Sequence, residues 1–330
     1  MSDGAVINWK RLHGDAFAGH RVLITGGAGF IGSHLSETLL GLGASVAVID
    51  DLNGGSKENL AAFGPVEFVQ ASILDREALA RATRGCRYVF HQAALGSVPR
   101  SVKEPRLYND VNTTGTLNVL EAAREAGVKR VLFAASSSAY GENPVPWIEH
   151  MPVMAKSPYA ATKVAGEALF RAYSTSYGLD TACLRYFNIF GPRQNANSAY
   201  AAVIAAFAKA VLAGKAPVIY GDGEQSRDFT FVYNAVHANL LAARREAPIR
   251  GEVINVGTGG RVSVNELAVK VAQMLGRPEL KAVHEPERTG DIKHSFADLS
   301  KANSLLAYQP IADFADGLER TLAWYRTVLA

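Results

Sequence analysis

Short apolar runs rich in β-branched residues alternate with amphipathic stretches over the first 186 positions. Arg21-Val-Leu-Ile-Thr25 is a run of the first kind and ends in glycines, which predicts a strand and a tight turn. Positions 33–42 have helical periodicity and are closed by Gly43, which predicts the helix that follows. The same reading predicts strands at 44–50, 66–70, 88–92, 130–135 and 180–186, and helices at 76–83, 107–126 and 159–177. Alternation of this length means an α/β fold: a Rossmann-type doubly wound parallel sheet with right-handed crossovers. Beyond 186, Pro192, Pro217, Gly221 and Gly223 break the pattern, and helices are expected at 199–212 and 264–275. A smaller second α/β lobe is expected there. The helical stretch 231–245 and the apolar run 252–256 are expected to return to the first sheet. The domains are then 1–186, joined by 230–257, and 187–330. The polar lead of about 20 residues reads as a surface-packed, accessory extension.

With 330 residues and 48% hydrophobic content, the chain can bury the core of one large α/β domain or of two lobes. No stretch approaches the ~18 uninterrupted apolar residues of a membrane span. The N-terminus lacks the basic start and apolar run of a secretory signal, so a cytoplasmic location and no membrane partner are expected. Net charge is +3, with 34 basic residues scattered among 31 acidic ones, which leaves no nucleic-acid footprint. Cys86 and Cys183 sit in strand-like runs and read as buried thiols. His34, His91 and His237 have no Cys or carboxylate at ligand spacing, and no metal is expected.

Gly26-Gly-Ala-Gly29-Phe-Ile-Gly32 follows the first strand and opens the first helix, the context that makes a glycine pattern a dinucleotide signal. Asp50 closes the second strand 24 residues after Gly26. A carboxylate there accepts hydrogen bonds from ribose hydroxyls and repels a 2′-phosphate, favouring NAD over NADP. Asp51 is the neighbouring alternative. Ser136-Ser-Ser138 follows a buried strand and opens at the carboxyl edge of the sheet. Tyr159 and Lys163 stand four residues apart, so on a helix the ammonium shares a face with the phenol and its charge favours the phenolate. Ser136 can then donate to a substrate oxygen while Tyr159 withdraws its proton. Ser137 reads equally as a turn or cap residue.

Thr25 to Gly32, Ser136 to Gly141, Ser157-Pro-Tyr159-x-x-x-Lys163 and Leu184-Arg-Tyr-Phe-Asn188 resemble the extended short-chain dehydrogenases, specifically nucleotide-sugar epimerases. The stretches His91 to Arg100, Arg193-Gln194 with Ala199-Tyr-Ala-Ala202, Gly221 to Phe229, and His294-Ser295 resemble UDP-N-acetylglucosamine 4-epimerases that also act on the glucuronate form. The resemblance runs from about residue 20 to the end. It implies a cofactor NAD lined by Gly26, Gly29, Phe30, Ile31, Gly32, Asp50, Asp51, Ile73, Gln92, Ala93, Ala94 and Asn112, with Lys163 reaching the nicotinamide ribose. It implies a UDP-sugar substrate held by Gly96, Ser97, Ser136, Ser137, Ser138, Tyr159, Asn188, Gln194, Ala202, Arg227, Arg261, Arg288, Asp291 and Ser295. The arginines would supply charge-assisted forks to the diphosphate. The sequence departs at Ser72, where the family usually has an Asp near the adenine. The resemblance also implies a homodimer through a four-helix bundle of the two long helices, which carry Glu121 and Glu167.

Related 4,6-dehydratases carry Asp and Glu before the tyrosine that here is Tyr140, and UDP-glucuronate decarboxylases carry Glu at the position of Ser138. This chain has Ser137 and Ser138. What the resemblance implies is therefore oxidation at C4 followed by return of the hydride. The position of Ser295 is small in relatives that admit an N-acetyl group, which points to UDP-N-acetylhexosamines, UDP-GlcNAc and UDP-GalNAc or their uronates. UDP-glucose or UDP-glucuronate epimerisation is the alternative. A catalytically silent NAD-binding sensor or scaffold is another, against which intact Ser136, Tyr159 and Lys163 argue.

Overall fold

The computed structural model describes residues 7–195, 203–287 and 292–329. Seven parallel strands form the main sheet: β1 (Arg21–Thr25), β2 (Ser45–Asp50), β3 (Glu67–Gln70), β4 (Tyr88–His91), β5 (Arg130–Ser136), β6 (Thr181–Tyr186) and β7 (Glu252–Val256). Their order across the sheet is β7-β6-β5-β4-β1-β2-β3. The chain reverses direction across the sheet between β1 and β4, where Thr25 is paired with His91. A crevice opens at such a switch point, beyond the carboxyl ends of the strands.

The strands are apolar on both sides, so successive residues enter different layers. On one face Val22, Ile24 and Val48 pack with Leu35 and Leu39 of α1 (Phe30–Gly41). On the other Leu23, Ile49 and Val89 pack with Leu79 of α2 (Arg76–Thr83), Leu120 of α3 (Gly115–Glu125) and Phe170 of α4 (Pro158–Tyr177). The helix α5 (Val232–Arg244) joins the first layer through Ala235, Val236 and Leu240. Cys86 and Cys183 are buried free thiols.

Two expectations change. The stretch 107–126 is not one α-helix: Pro105–Asn109 leads into a π-helical turn at Asp110–Thr114, and only then does α3 begin. A widened turn is invisible to an apolar repeat of 3.6 residues. The N-terminal lead is also more than a surface extension. After the short helix Trp9–His13, Phe17 is fully buried against Val22 and Tyr88 of the main core, and the His13 ring meets His237 of α5 at 3.0 Å.

The second lobe packs Val203–Leu212, Val264–Met274 and Phe314–Leu329 around Phe207, Leu267 and Leu322. The expected positions 199–202 of its first helix lie outside the described residues. Beside these helices Ser226–Arg227 is flanked by Val262–Ser263 and His294–Ser295 in a three-stranded sheet. Buried Asp228 ties the lobe together, accepting from Thr258 N at 2.9 Å, Thr258 Oγ1 at 2.7 Å and Gly259 N at 3.0 Å. Among the described residues no helix is long and apolar enough to cross a membrane.

Candidate active site

A cavity of about 990 Å³ runs along the carboxyl edge of the sheet, from the turn after β1 to the strand His294–Ser295. At one end Gly26 takes φ 69° and its N–H donates to the Ile49 carbonyl at 2.8 Å. A Cβ on Gly26 would lie 2.7 Å from Ala93 backbone atoms, and one on Gly32 would lie 2.1 Å from the Gly26 carbonyl oxygen. Only glycine fits either position. The helix α1 starts at Gly29 with no side-chain cap, so the amides of Phe30, Ile31 and Gly32 have no helical acceptor, and these residues line the cavity. That is a seat for a pyrophosphate.

Asp50 ends β2 almost fully buried on the cavity wall, its Oδ2 accepting from Ala28 N at 2.9 Å and its Oδ1 from Leu52 N at 2.8 Å. Burial raises its pKa and Asp51 adds to the rise, while the amides of Leu52, Ala28 and Gly29 oppose it. The carboxylate faces the cavity as an acceptor for ribose hydroxyls. Asp51 also lines the cavity but is exposed, its Oδ1 taken by Asn53 N at 3.0 Å. Ile73, Gln92, Ala93 and Ala94 complete this end. Ser72 accepts from Leu74 N at 3.2 Å and stays off the wall. The glycine cradle, the uncapped helix and the Asp50 carboxylate fit NAD.

Asn112 differs from expectation. It is not on the cavity wall: its Oδ1 accepts from Leu95 N at 2.8 Å, and its Nδ2 donates to the Leu95 carbonyl at 3.1 Å and to Thr162 Oγ1 at 3.1 Å. It grips the loop that follows Ala94. Asn112 sits in the π-helical turn Asp110–Thr114.

At the reacting end β5 delivers Ser136 to the cavity, where Ser138 Oγ donates to Ser136 Oγ at 2.9 Å. Tyr140 anchors this serine turn, its hydroxyl donating to Asn255 Oδ1 at 2.6 Å. The helix α4 starts with Ser157 accepting from Ala160 N at 3.1 Å and Pro158 behind the cap, which puts Tyr159 in the first turn. Lys163 follows one turn later, almost fully buried, and its Nζ donates to the Ala134 carbonyl at 2.7 Å. The ammonium lies 4.9 Å from the Phe133 ring centre and 5.9 Å from that of Tyr159. Burial raises the Tyr159 pKa, the Ser136 hydroxyl lowers it and Tyr108 raises it further. Burial lowers Lys163 to about 8, opposed by Glu167. Both groups share a helix face, and the lysine gives its hydrogen bond to the sheet rather than to the phenol oxygen.

Gly96, Ser97, Ser136, Ser137, Ser138, Asn188, Gln194, Arg227 and Ser295 line the far end. Asn188, at φ 38°, donates to Ser295 Oγ at 3.3 Å and to the Asp228 carbonyl at 3.2 Å. Gln194 Nε2 donates to the Ile189 carbonyl at 3.1 Å, and its buried Oε1 has no partner among the described residues. Arg227 Nη1 donates to the carbonyls of Ser226 and Lys293 at 3.0 and 3.1 Å. Arg261 is away from the wall, exposed and 5.1 Å above the Phe296 ring. Ala202, Arg288 and Asp291 lie outside the described residues. Among the described lining residues the only carboxylates are Asp50 and Asp51, at the adenosine end.

Tyr108, Trp147 and Tyr186 also line the cavity and escaped the sequence reading. Tyr108 accepts from Ser97 N at 3.1 Å. Tyr186 sat within a recognised motif, whereas Tyr108 looks like any helical aromatic. Glu167, on a helix expected between subunits, faces inward and forms a buried pair with Arg185 at 2.7 Å, while Glu121 is half-buried and bonds Arg124 and Tyr173.

Residues 22–257 match the NAD dependent epimerase/dehydratase family. A UDP-glucose 4-epimerase of Mycolicibacterium smegmatis is 40% identical over 312 residues, 93% of this chain and 98% of that protein. A solved UDP-N-acetylglucosamine 4-epimerase from Methanobrevibacter ruminantium M1, in complex with UDP-N-acetylmuramic acid, aligns with a TM-score of 0.90 at 40% identity, covering 94% of this chain and 100% of that one. A UDP-glucose 4-epimerase of Thermus thermophilus in complex with NAD aligns with a TM-score of 0.83 at 38% identity, covering 93% and 99%. The chain therefore belongs to the NAD dependent epimerase/dehydratase family, and NAD is its cofactor.

Proposed function

We propose that the protein is a UDP-sugar 4-epimerase that prefers N-acetylhexosamines, interconverting UDP-GlcNAc and UDP-GalNAc or their uronates. The observation that carries this is the pairing of Ser136, Tyr159 and Lys163 with a reacting end free of carboxylates among the described lining residues. Such a site can remove a proton from a hydroxyl, but it has no acid and base to drive elimination of water.

Tyr159 takes the O4 proton while Ser136 donates to that oxygen, and both roles reverse when the alcohol is re-formed. NAD, when bound, would supply the acceptor for the C4 hydride and the donor for its return to the opposite face. The Lys163 ammonium, 5.9 Å from the Tyr159 ring centre, would favour the ionised phenol during the proton transfer. Arg227 would hold the diphosphate, and Asn188 would steady the sugar end beside Ser295. Firm binding of the UDP with a loosely held sugar allows the 4-keto ring to turn over. The small side chain of Ser295 leaves volume for an N-acetyl group.

The 40% identical relatives carry both the glucose and the N-acetylglucosamine names, so identity does not choose between those sugars. A homodimer would cover the outward faces of α3 and α4, where Leu117, Ala161, Ala168 and Ala172 are exposed, and sedimentation velocity tests for it. Purified protein incubated with UDP-GlcNAc, UDP-glucose, UDP-glucuronate and their C4 epimers, without added NAD, and read by NMR tests the substrate assignment. Faster turnover of the N-acetylated pair is expected. Faster turnover of UDP-glucose or UDP-glucuronate would overturn the preference.

A further inference from the structure

Three side chains from three elements close a ring of hydrogen bonds at the floor of the cavity. Asn239 of α5 donates through Nδ2 to Tyr186 Oη at 2.6 Å, at the end of β6. Tyr186 Oη donates to Gln92 Oε1 at 3.2 Å, and Gln92 Nε2 donates to Asn239 Oδ1 at 3.4 Å. The direction around this ring is fixed by one backbone atom. Asn239 Nδ2 also donates to the Ala235 carbonyl, one helical turn back, at 2.8 Å. A carbonyl only accepts, so the amide nitrogen of Asn239 must face Ala235 and Tyr186. The phenol, already an acceptor, is left to donate to Gln92. The Gln92 oxygen is thereby turned to Tyr186 and its nitrogen to Asn239.

Gln92 Nε2 carries two hydrogens, and Asn239 takes one. Gln92 lines the cavity beside the first glycine of the turn, where a Cβ on Gly26 would come within 3.0 Å of the Gln92 carbonyl carbon. Asn239 is fully buried and does not line the cavity. Burial pushes the Tyr186 phenol up to about 12, so it remains a donor at neutral pH.

We propose that Asn239 is a positioning residue for the cofactor: acting through Gln92, it orients the carboxamide so that an N–H faces an acceptor oxygen of bound NAD. This rests on Gln92 facing the dinucleotide. A Leu at position 239 keeps the branched shape of Asn and removes its donors and acceptor.

The test follows NAD release from the loaded protein by dilution and rapid filtration in the wild type, Asn239→Leu, Gln92→Leu and the double variant. Each single variant is expected to release NAD about tenfold faster, the scale of one net hydrogen bond. The double variant is expected to release it no faster than Gln92→Leu, because the group that Asn239 orients is gone. Unchanged release in Asn239→Leu, or a double variant whose acceleration is the product of the singles, overturns the proposal. Unchanged release in Gln92→Leu overturns the assignment of Gln92 to the cofactor, and the proposal with it. A melting temperature recorded alongside separates a structural role, which would lower it and leave release as in the wild type. Should Asn239→Leu fail to fold, Asn239→Ser carries the same expectations. NAD release is independent of the sugar, so failure here leaves the N-acetyl preference standing, and the reverse holds too.

Discussion

Lys163 lies 5.9 Å from the centre of the Tyr159 ring and gives its hydrogen bond to the Ala134 carbonyl at 2.7 Å. The pair is thus assembled but not engaged at the phenol oxygen. Burial acts on the two groups in opposite directions, raising the phenol and lowering the ammonium to about 8.

In protein stripped of NAD, Lys163 should titrate near pH 8 and Tyr159 should stay protonated through that range. Carbon-13 NMR of labelled lysine and tyrosine reads both directly, and a Tyr159 phenolate at pH 7 to 8 would contradict the expectation. The lysine's folded pKa lies below its unfolded value of 10.5, so its charged form opposes folding below about pH 8. That cost fades as pH rises from about 8 toward 10.5.

Replacing Tyr159 by Phe removes the base and little else. Turnover should fall by about a thousandfold or more, within the usual span of general acid-base catalysis. Melting temperature and NAD binding should be nearly unchanged, and retained full activity would refute the assignment. Ser136→Ala should give a smaller loss.

Ser295→Tyr fills the space beside Asn188 and removes the hydroxyl that Asn188 meets at 3.3 Å. The kcat/KM for N-acetylated substrates should drop by about a hundredfold, well beyond the drop for UDP-glucose, since an overfilled pocket excludes the larger group. An unchanged preference would remove Ser295 from the specificity argument.

Four buried histidines should make the fold acid-sensitive. His13, His34 and His91 are lowered to about 3 and His237 to about 4, with burial the largest cause in each. Their folded values lie below the ordinary 6.5, so the stability they contribute is complete above pH 6.5 and is lost as pH falls below it. Each histidine contributes a slope of about 1.4 kcal/mol per pH unit there. Urea midpoints at pH 7 and pH 5 should differ sharply, and His91→Asn should flatten the difference.

Phe17→Ala tests the N-terminal segment. A fully buried aromatic ring removed from the main core costs about 3–5 kcal/mol. Its melting temperature should fall by several degrees, whereas a surface extension would give no change.

The main sheet was legible because β-branched runs bounded by glycine announce parallel strands, and all seven lie where those runs fall. The small strands of the second lobe were not, because two-residue pairs such as Ser226–Arg227 with His294–Ser295 have no periodicity to read. Phe17 was hidden in a polar stretch, since one aromatic residue makes no pattern. At the site, residue types and spacing identified Gly26, Asp50, Ser136, Tyr159 and Lys163 as neighbours of one cavity. Spacing could not tell that Lys163 reaches Ala134, nor that Asn112 grips Leu95. Those depend on where long side chains end, which the fold decides.

The central claim is a C4 oxidation whose hydride returns to the carbon it left. Purified protein incubated in light water with UDP-N-acetylglucosamine carrying deuterium at C4, without added NAD, and followed by NMR, tests it most directly. The account predicts UDP-N-acetylgalactosamine with the deuterium still at C4. Epimerised product that has lost the label to solvent, or no conversion of any UDP sugar by NAD-loaded protein, would contradict it.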